Sequence, residues 1–186
     1  VANDHERRDA AAPETRGNFI TGYAARFNSP AIIAGAFRET LRPGCFSRSL
    51  RETPDVLALL HHDPGRILGR VSAGTLQLRE DAHGLRFELE ADSSTPDGQT
   101  AIGTVSRRDI KGCSIGFRVV EEDWDTDGAG FPVRTILDVD LLEMSLVGWP
   151  AYESTSADIV KQRNASGAAE RLRRKAEAAM RLRGIL

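Results

Sequence analysis

The sequence predicts a mainly β protein with a few helices, built on an antiparallel, barrel-like or sandwich core of about seven strands. Three observations predict it. Residues 85–91 alternate without a fault, with Leu85, Phe87, Leu89 and Ala91 on one side and Arg86, Glu88 and Glu90 on the other. That two-residue period marks a half-buried antiparallel strand. Short apolar runs recur along the chain, each closed by a turn-former such as Asn28-Ser29-Pro30, Asp63-Pro64-Gly65 or Asp81-Ala82-His83-Gly84. Within the body, only residues 99–108 read as a sustained helix.

Taken in order, residues 1–16 are polar and charged and read as a flexible arm. The start at Val1, followed by Asp4, Glu6, Arg7 and Arg8, reads as trimmed and without a signal peptide. Phe19 to Phe27 is a first strand. Residues 31–51, with Gly35, Pro43 and Gly44, lead into a short helix from Phe46 to Arg51. The compact run Asp55 to His61 suits a buried strand, and Ile67 to Val71 returns from the turn Asp63-Pro64-Gly65. Thr75 to Glu80 and Leu85 to Ala91 form a hairpin. The helix Gln99 to Arg108 has Asp97 as its expected N-cap. Gly112 to Glu121 is a strand, 122–130 a polar loop, and Arg134 to Val147 a long strand ended by Pro150. The alternation of that last strand breaks at Leu141-Leu142, which predicts a bulge. Residues 161–167 read as a linker, and Gly167 to Leu186 as a helix with a narrow apolar face of Leu172, Ala176, Ala179 and Met180.

With 186 residues, 40% apolar and 28% charged, the chain can build one core and stay soluble. No run approaches the roughly 18 apolar residues of a membrane span. The net charge of −2 conceals an asymmetry: residues 161–186 carry eight basic and two acidic side chains, a net of +6, and residues 1–160 therefore carry −8. An acidic body argues against nucleic acid as a ligand, and the basic segment is expected to be separable from the fold. The expected organisation is a flexible arm over 1–16, a body over 17–160 and a basic, helical tail over 161–186. Cys45 and Cys113 sit in apolar surroundings and read as two reduced, buried thiols.

Gly112-Cys113-Ser114-Ile115-Gly116 matches the GxSxG string of α/β-hydrolases. In that fold a helix follows the serine and the histidine lies downstream. Here residues 117–121 read as strand, and His5, His61, His62 and His83 all precede Ser114, so that reading fails. The flanking glycines still permit close approach to the serine. His61 and His62 end an apolar strand and point to opposite faces if the strand continues. His61, His62, Asp63 and Cys113 have no metal-ligand spacing, so neither a metal nor any other cofactor is expected. Glu143 stands alone in the apolar run Leu141 to Val147. If buried, it needs a donor, and an imidazole is the natural one. A strand-end histidine, a glycine-flanked serine and an embedded glutamate have the three roles of a Ser–His–acid system. On these residues alone a plain β-barrel binding or scaffolding protein stands beside the enzyme. Arg70 reads as a strand-end charge, though it is one conceivable oxyanion donor beside the amides near Gly112 and Gly116. His83 reads as a hairpin-turn residue.

Five short segments in order carry a resemblance. They are Gly22-Tyr23-Ala24 with Phe27-Asn28-Ser29; the His-Asp block ending in Leu68-Gly69-Arg70; Thr75-Leu76-Gln77-Leu78 with Gly84-Leu85; Lys111 to Phe117; and Leu142 to Val147 followed by Pro150-Ala151-Tyr152. Over about Gly22 to Asp158 the chain resembles the HK97-type prohead (capsid maturation) proteases of tailed phages, whose catalytic domain is related to the herpesvirus maturational protease. The resemblance implies a herpesvirus-protease-like β fold. It also implies a serine endopeptidase that cuts scaffold and capsid-protein segments, and itself, inside the immature head in the bacterial cytoplasm, with the major capsid protein and its scaffolding segment as partners and with self-association; the charge and hydropathy already argue against nucleic acid and membrane. By position Ser114 would be the nucleophile, His62 the general base and Glu143 the third member. The herpesvirus relatives use a second histidine there, and none follows His83 in this chain. Cys113, Ile115 and Trp149 depart from the family pattern by apolar swaps where the pocket is shaped, which bears on cleavage specificity.

Overall fold

The computed structural model describes residues 12–52, 55–148, 171 and 173–185. In chain order the strands are β1 (Glu14–Arg16), β2 (Phe19–Arg26), β3 (Ala31–Ile33), β4 (Phe37–Leu41), β5 (Leu57–Leu60), β6 (Asp63–Arg70), β7 (Leu76–Glu80), β8 (Gly84–Glu90), β9 (Gly112–Thr126) and β10 (Pro132–Val147). Helix α1 (Ser47–Glu52) separates β4 from β5, α2 (Pro96–Ser106) separates β8 from β9, and α3 covers residues 173–182. The protein is mainly β, as the alternation predicts. The described strands form two open sheets rather than a barrel, and they number ten, not seven.

The smaller sheet has the order β1-β2-β8-β7. Its apolar face, with Ile20, Leu85, Phe87 and Leu89, joins Ala58, Leu60, Val139, Met144 and Leu146 of the larger sheet in one core. In the larger sheet β10 is the spine. Along one edge β9 runs antiparallel from Thr126↔Pro132 to Gly112↔Val147. Along the other edge two strands share β10 in succession, both parallel: β4 at Val133 to Ile136, then β5 at Glu143 to Leu146. The gap between them is filled by α1 and the residues before it. Val139 N–H donates to Cys45 O (3.1 Å) and Leu141 N–H to the buried Ser49 hydroxyl (2.8 Å). Those two bonds satisfy backbone groups that no strand reaches. Arg48 then clamps α1 to Asp138 (2.6 Å) and Asp140 (2.7 Å).

The bulge expected at Leu141-Leu142 is present. The β9–β10 register slips between Leu141 and Glu143, and Leu142 is left exposed. This one extra residue reverses the parity of the strand. Val139 and Leu141 face the core before it, and Met144 and Leu146 after it. Glu143 and Ser145 are thereby turned to the opposite face.

Several sequence expectations shift. Residues 14–16 of the expected arm pair with β2 as β1, while residues 1–11 lie outside the described residues, as do Pro150 and the linker 161–167. The N-cap of α2 is Thr95, whose hydroxyl accepts from Gly98 N–H (3.1 Å). Asp97 sits in the first turn instead and pairs with Arg66 (2.6 Å). Much of the expected loop 122–130 is strand. Only the Asp127 turn remains, with Asp127 Oδ1 accepting from Ala129 N–H (3.0 Å) and Phe131 N–H (2.9 Å). Residues 31–41, read without strands, form β3 and β4 about a turn with Gly35 at φ 68°.

The expectation of a tail outside the fold does not hold for residues 173–185. Ala176 and Met180 of α3 are buried in a second cluster with Ala36, Phe37 and Trp124. The Phe37 and Trp124 rings meet edge to face at 5.1 Å. At the rim Arg183 lies 4.0 Å from Glu122. Few side chains are involved, but a buried methionine is worth about 1.5–3 kcal/mol, enough to hold a helix whose own propensity is marginal. Ending the chain at residue 170 should lower the thermal midpoint by several degrees, at about 2–4 °C per kcal/mol. Circular dichroism melting of the full and shortened chains reads this directly, and an unchanged midpoint would show that the docking adds no stability.

Candidate active site

The turn joining β5 to β6 has two residues, His61 and His62, between the partners Leu60 and Asp63. Both have positive φ, 57° and 59°. Positive φ at both central positions is the signature of a type I′ hairpin turn, where Asn-Gly is the usual pair. Histidine is among the few other residues tolerated there. The strand therefore does not continue through His61, and the turn lies two residues earlier than the Asp63-Pro64-Gly65 signal suggests. Asp63 spends its carboxylate locally, Oδ1 accepting from Gly65 N–H (2.8 Å).

The turn is pinned to β10. His61 N–H donates to Leu146 O (3.0 Å), and His62 N–H donates to the Ser145 hydroxyl (3.1 Å). His62 Nδ1 lies 2.8 Å from Glu143 Oε1. Facing a carboxylate, which only accepts, Nδ1 carries the hydrogen, and Nε2 presents its lone pair. The Glu143 side chain is 15% exposed and that of His62 42%, so an apolar-embedded acid holds a half-open imidazole. Glu143 Oε2 accepts from Ser145 Oγ at 2.6 Å.

Ser114 joins this group through the register of β9. It is buried and lies directly opposite Ser145, and Gly116 lies opposite Glu143. Cross-strand partners share a face, so Ser114, Glu143 and Ser145 stand on the face that the Leu142 bulge turned away from the core. Cys113, Ile115 and Phe117 take the other face and pack on the core. Among the described residues no hydrogen bond joins Ser114 Oγ to either ring nitrogen of His62. Sequence reasoning brings Ser114, His62 and Glu143 to one place and misses Ser145. The available signal was its position two residues after Glu143, which shares Glu143's face in any extended strand.

The remaining candidates fall away from the group. Burial pushes the Cys113 thiol up to about 12, so it is not a thiolate near neutrality. Arg70 is tied to Asp55 at 3.6 Å. His83 sits in its hairpin turn, its N–H donating to Asp81 Oδ1 (2.8 Å). Hydrogen bonds from Tyr23 OH and from the His83 and Gly84 amides hold the Asp81 carboxyl below its usual range. Among the described residues no group of three His, Cys, Asp or Glu is placed to hold a metal ion, and no helix is long and apolar enough to cross a membrane.

Gly116 has a structural reason. A Cβ there would press on Glu143 Oε1 and lie 3.0 Å from its Cγ. The group approaching the glycine-flanked strand is thus the acid's side chain. Because a flexible side chain can swing aside, Gly116→Ala should fold with little loss of stability. It should displace the carboxylate from His62 and lower turnover by about 10²-fold, the scale of an ångström-sized misplacement. Turnover equal to that of the parent chain would show that the carboxylate's position is unimportant.

A model of the caudovirus prohead serine protease family matches residues 5–170. The chain belongs to that family. Membership implies a serine protease of phage-capsid maturation and an interaction with capsid proteins. No curated protein matches the chain. The matched span holds both strands of the β9–β10 ribbon and the β5–β6 turn, so the whole cluster lies within the prohead protease match.

Proposed function

We propose that the chain is the endopeptidase that removes the scaffolding segment of the major capsid protein, and segments of its own chain, inside the immature head. Ser114 is the nucleophile, His62 the general base and Glu143 the orienting acid. The observation that carries the reading is the His62 Nδ1–Glu143 Oε1 bond on the sheet face that bears Ser114. It directs the Nε2 lone pair away from the acid, toward a proton to be taken.

In the proposed cycle Ser114 Oγ attacks the scissile carbonyl as its proton passes to His62 Nε2. The imidazolium so formed is stabilised by Glu143, which stays a carboxylate. His62 returns that proton to the departing amine, leaving an ester on Ser114. Water, deprotonated by the same Nε2, then hydrolyses the ester. Burial of Ser114 strengthens these interactions by excluding bulk water. The apolar neighbours Cys113 and Ile115 face the core, so their influence on specificity acts through the backbone of β9.

Incubating the purified chain with capsid protein that retains its scaffolding segment, followed by mass spectrometry, tests the reading. Discrete cleavage, blocked by a fluorophosphonate that modifies Ser114, is expected. Stable binding without cleavage would instead make the protein a non-catalytic assembly factor.

A further inference from the structure

Ser145 is fully buried and makes two directional hydrogen bonds, both to members of the proposed catalytic group. Its oxygen accepts the backbone N–H of His62, and its proton goes to Glu143 Oε2. Glu143 has two carboxylate oxygens, one on His62 Nδ1 and the other on Ser145. The carboxylate plane is therefore fixed at both ends. The turn residue that carries the base hangs from the same hydroxyl, although its positive φ is one that few side chains adopt. One hydroxyl thus sets both the backbone position of the base and the rotamer of the acid. Directly across the ribbon stands Ser114.

We infer that Ser145 is a positioning residue for proteolysis: it fixes His62 and Glu143 relative to each other and to Ser114, without itself reacting. The inference rests on the triad reading above. Ser145 is a poor nucleophile in this setting, because it is fully buried and its oxygen already accepts the His62 N–H, which leaves no open path for a substrate carbonyl. Removing the hydroxyl frees the Glu143 carboxylate to rotate and loosens the turn. The base then reaches the nucleophile in a smaller fraction of molecules. That lowers the rate of the chemical step and leaves substrate binding largely unchanged.

The test uses a fluorophosphonate probe on the full chain. The probe forms a bond from the reactive serine oxygen to phosphorus, releases fluoride, and needs the serine proton to pass to the base. Its inactivation rate constant therefore reports base positioning independently of peptide specificity. Ser145→Ala is expected to lower that rate constant about 10–100-fold, with the probe's half-saturation concentration within about twofold of the parent. Near-ultraviolet circular dichroism checks that the variant stays folded. In a Glu143→Ala background, where no carboxylate is left to orient, Ser145→Ala should cost much less than it does alone.

An unchanged inactivation rate in Ser145→Ala, with Ser114→Ala unreactive, overturns the positioning role and leaves the triad reading standing. A loss in the Glu143→Ala background as large as the loss in the parent also overturns it, because the hydroxyl would then hold the turn alone and contribute nothing through the acid. Probe mapped to Ser145, with Ser114→Ala still reactive, overturns the triad reading itself.

Discussion

Ser114→Ala should leave the fold and its melting temperature close to those of the parent and lower turnover by roughly 10³–10⁶-fold, the range seen when a triad nucleophile is removed. Two features predict so large a loss at so small a structural cost. The hydroxyl is buried, yet among the described residues it makes no hydrogen bond, so its removal orphans no donor or acceptor. The vacated site is one oxygen atom in size, below the volume at which a core cavity becomes expensive. The neighbouring thiol cannot substitute. Cys113 points into the core and is held protonated, pushed up to about 12. Single-turnover cleavage of capsid protein measures the effect. Cleavage by Ser114→Ala at the parent rate would remove Ser114 from the mechanism and with it the significance of the glycine-flanked strand.

The parts of this site that follow a side-chain period could be read from the sequence, and the parts set by a backbone reversal could not. The Leu141-Leu142 break identified the bulge because an uninterrupted two-residue period cannot place apolar residues at both 141 and 142 on one face. Glu143 stands out because an acid in an apolar run either faces water or, if buried, needs a donor. The β7–β8 hairpin was equally plain, since Asp81 and Gly84 form the turn that their types favour. The His61–His62 turn was hidden because its dihedrals belong to Asn-Gly, and no local preference announces two histidines at positive φ. The parallel pairing of β4 and β5 with β10 was hidden for another reason. It depends on contacts between residues about 85–95 apart in sequence, and nothing within either strand encodes its partner. Ser145 has only its spacing from Glu143 as a sequence signal, and a serine in an apolar strand points to no role until the strand opposite it is known. The helical period of α3 was visible. Its docking was not, since Ala36, Phe37 and Trp124 come from separate elements.

His61→Asn and His62→Asn should differ by at least 10³-fold in turnover while melting within a few degrees of each other. Asparagine is one of the residues that best tolerates positive φ, so both substitutions preserve the turn. Both also retain the backbone N–H groups that donate to Leu146 O and Ser145 Oγ. What differs is the imidazole. The His61 side chain is exposed, makes no hydrogen bond among the described residues, and lies near Gly148, where a Cβ would be 3.8 Å from its Cε1. The His62 imidazole is the group on Glu143, and the asparagine amide can still donate to that carboxylate but offers no basic nitrogen to Ser114. The loss in His62→Asn is thus a loss of proton transfer, which typically contributes 10²–10⁴-fold, together with the activated nucleophile. His61→Asn should keep parental turnover and match or exceed the parental melting temperature, because the turn then carries its favoured residue. Equal losses in the two variants, both folded, would mean that the turn's shape rather than the His62 base governs the chemistry, and the one-base mechanism would have to be abandoned.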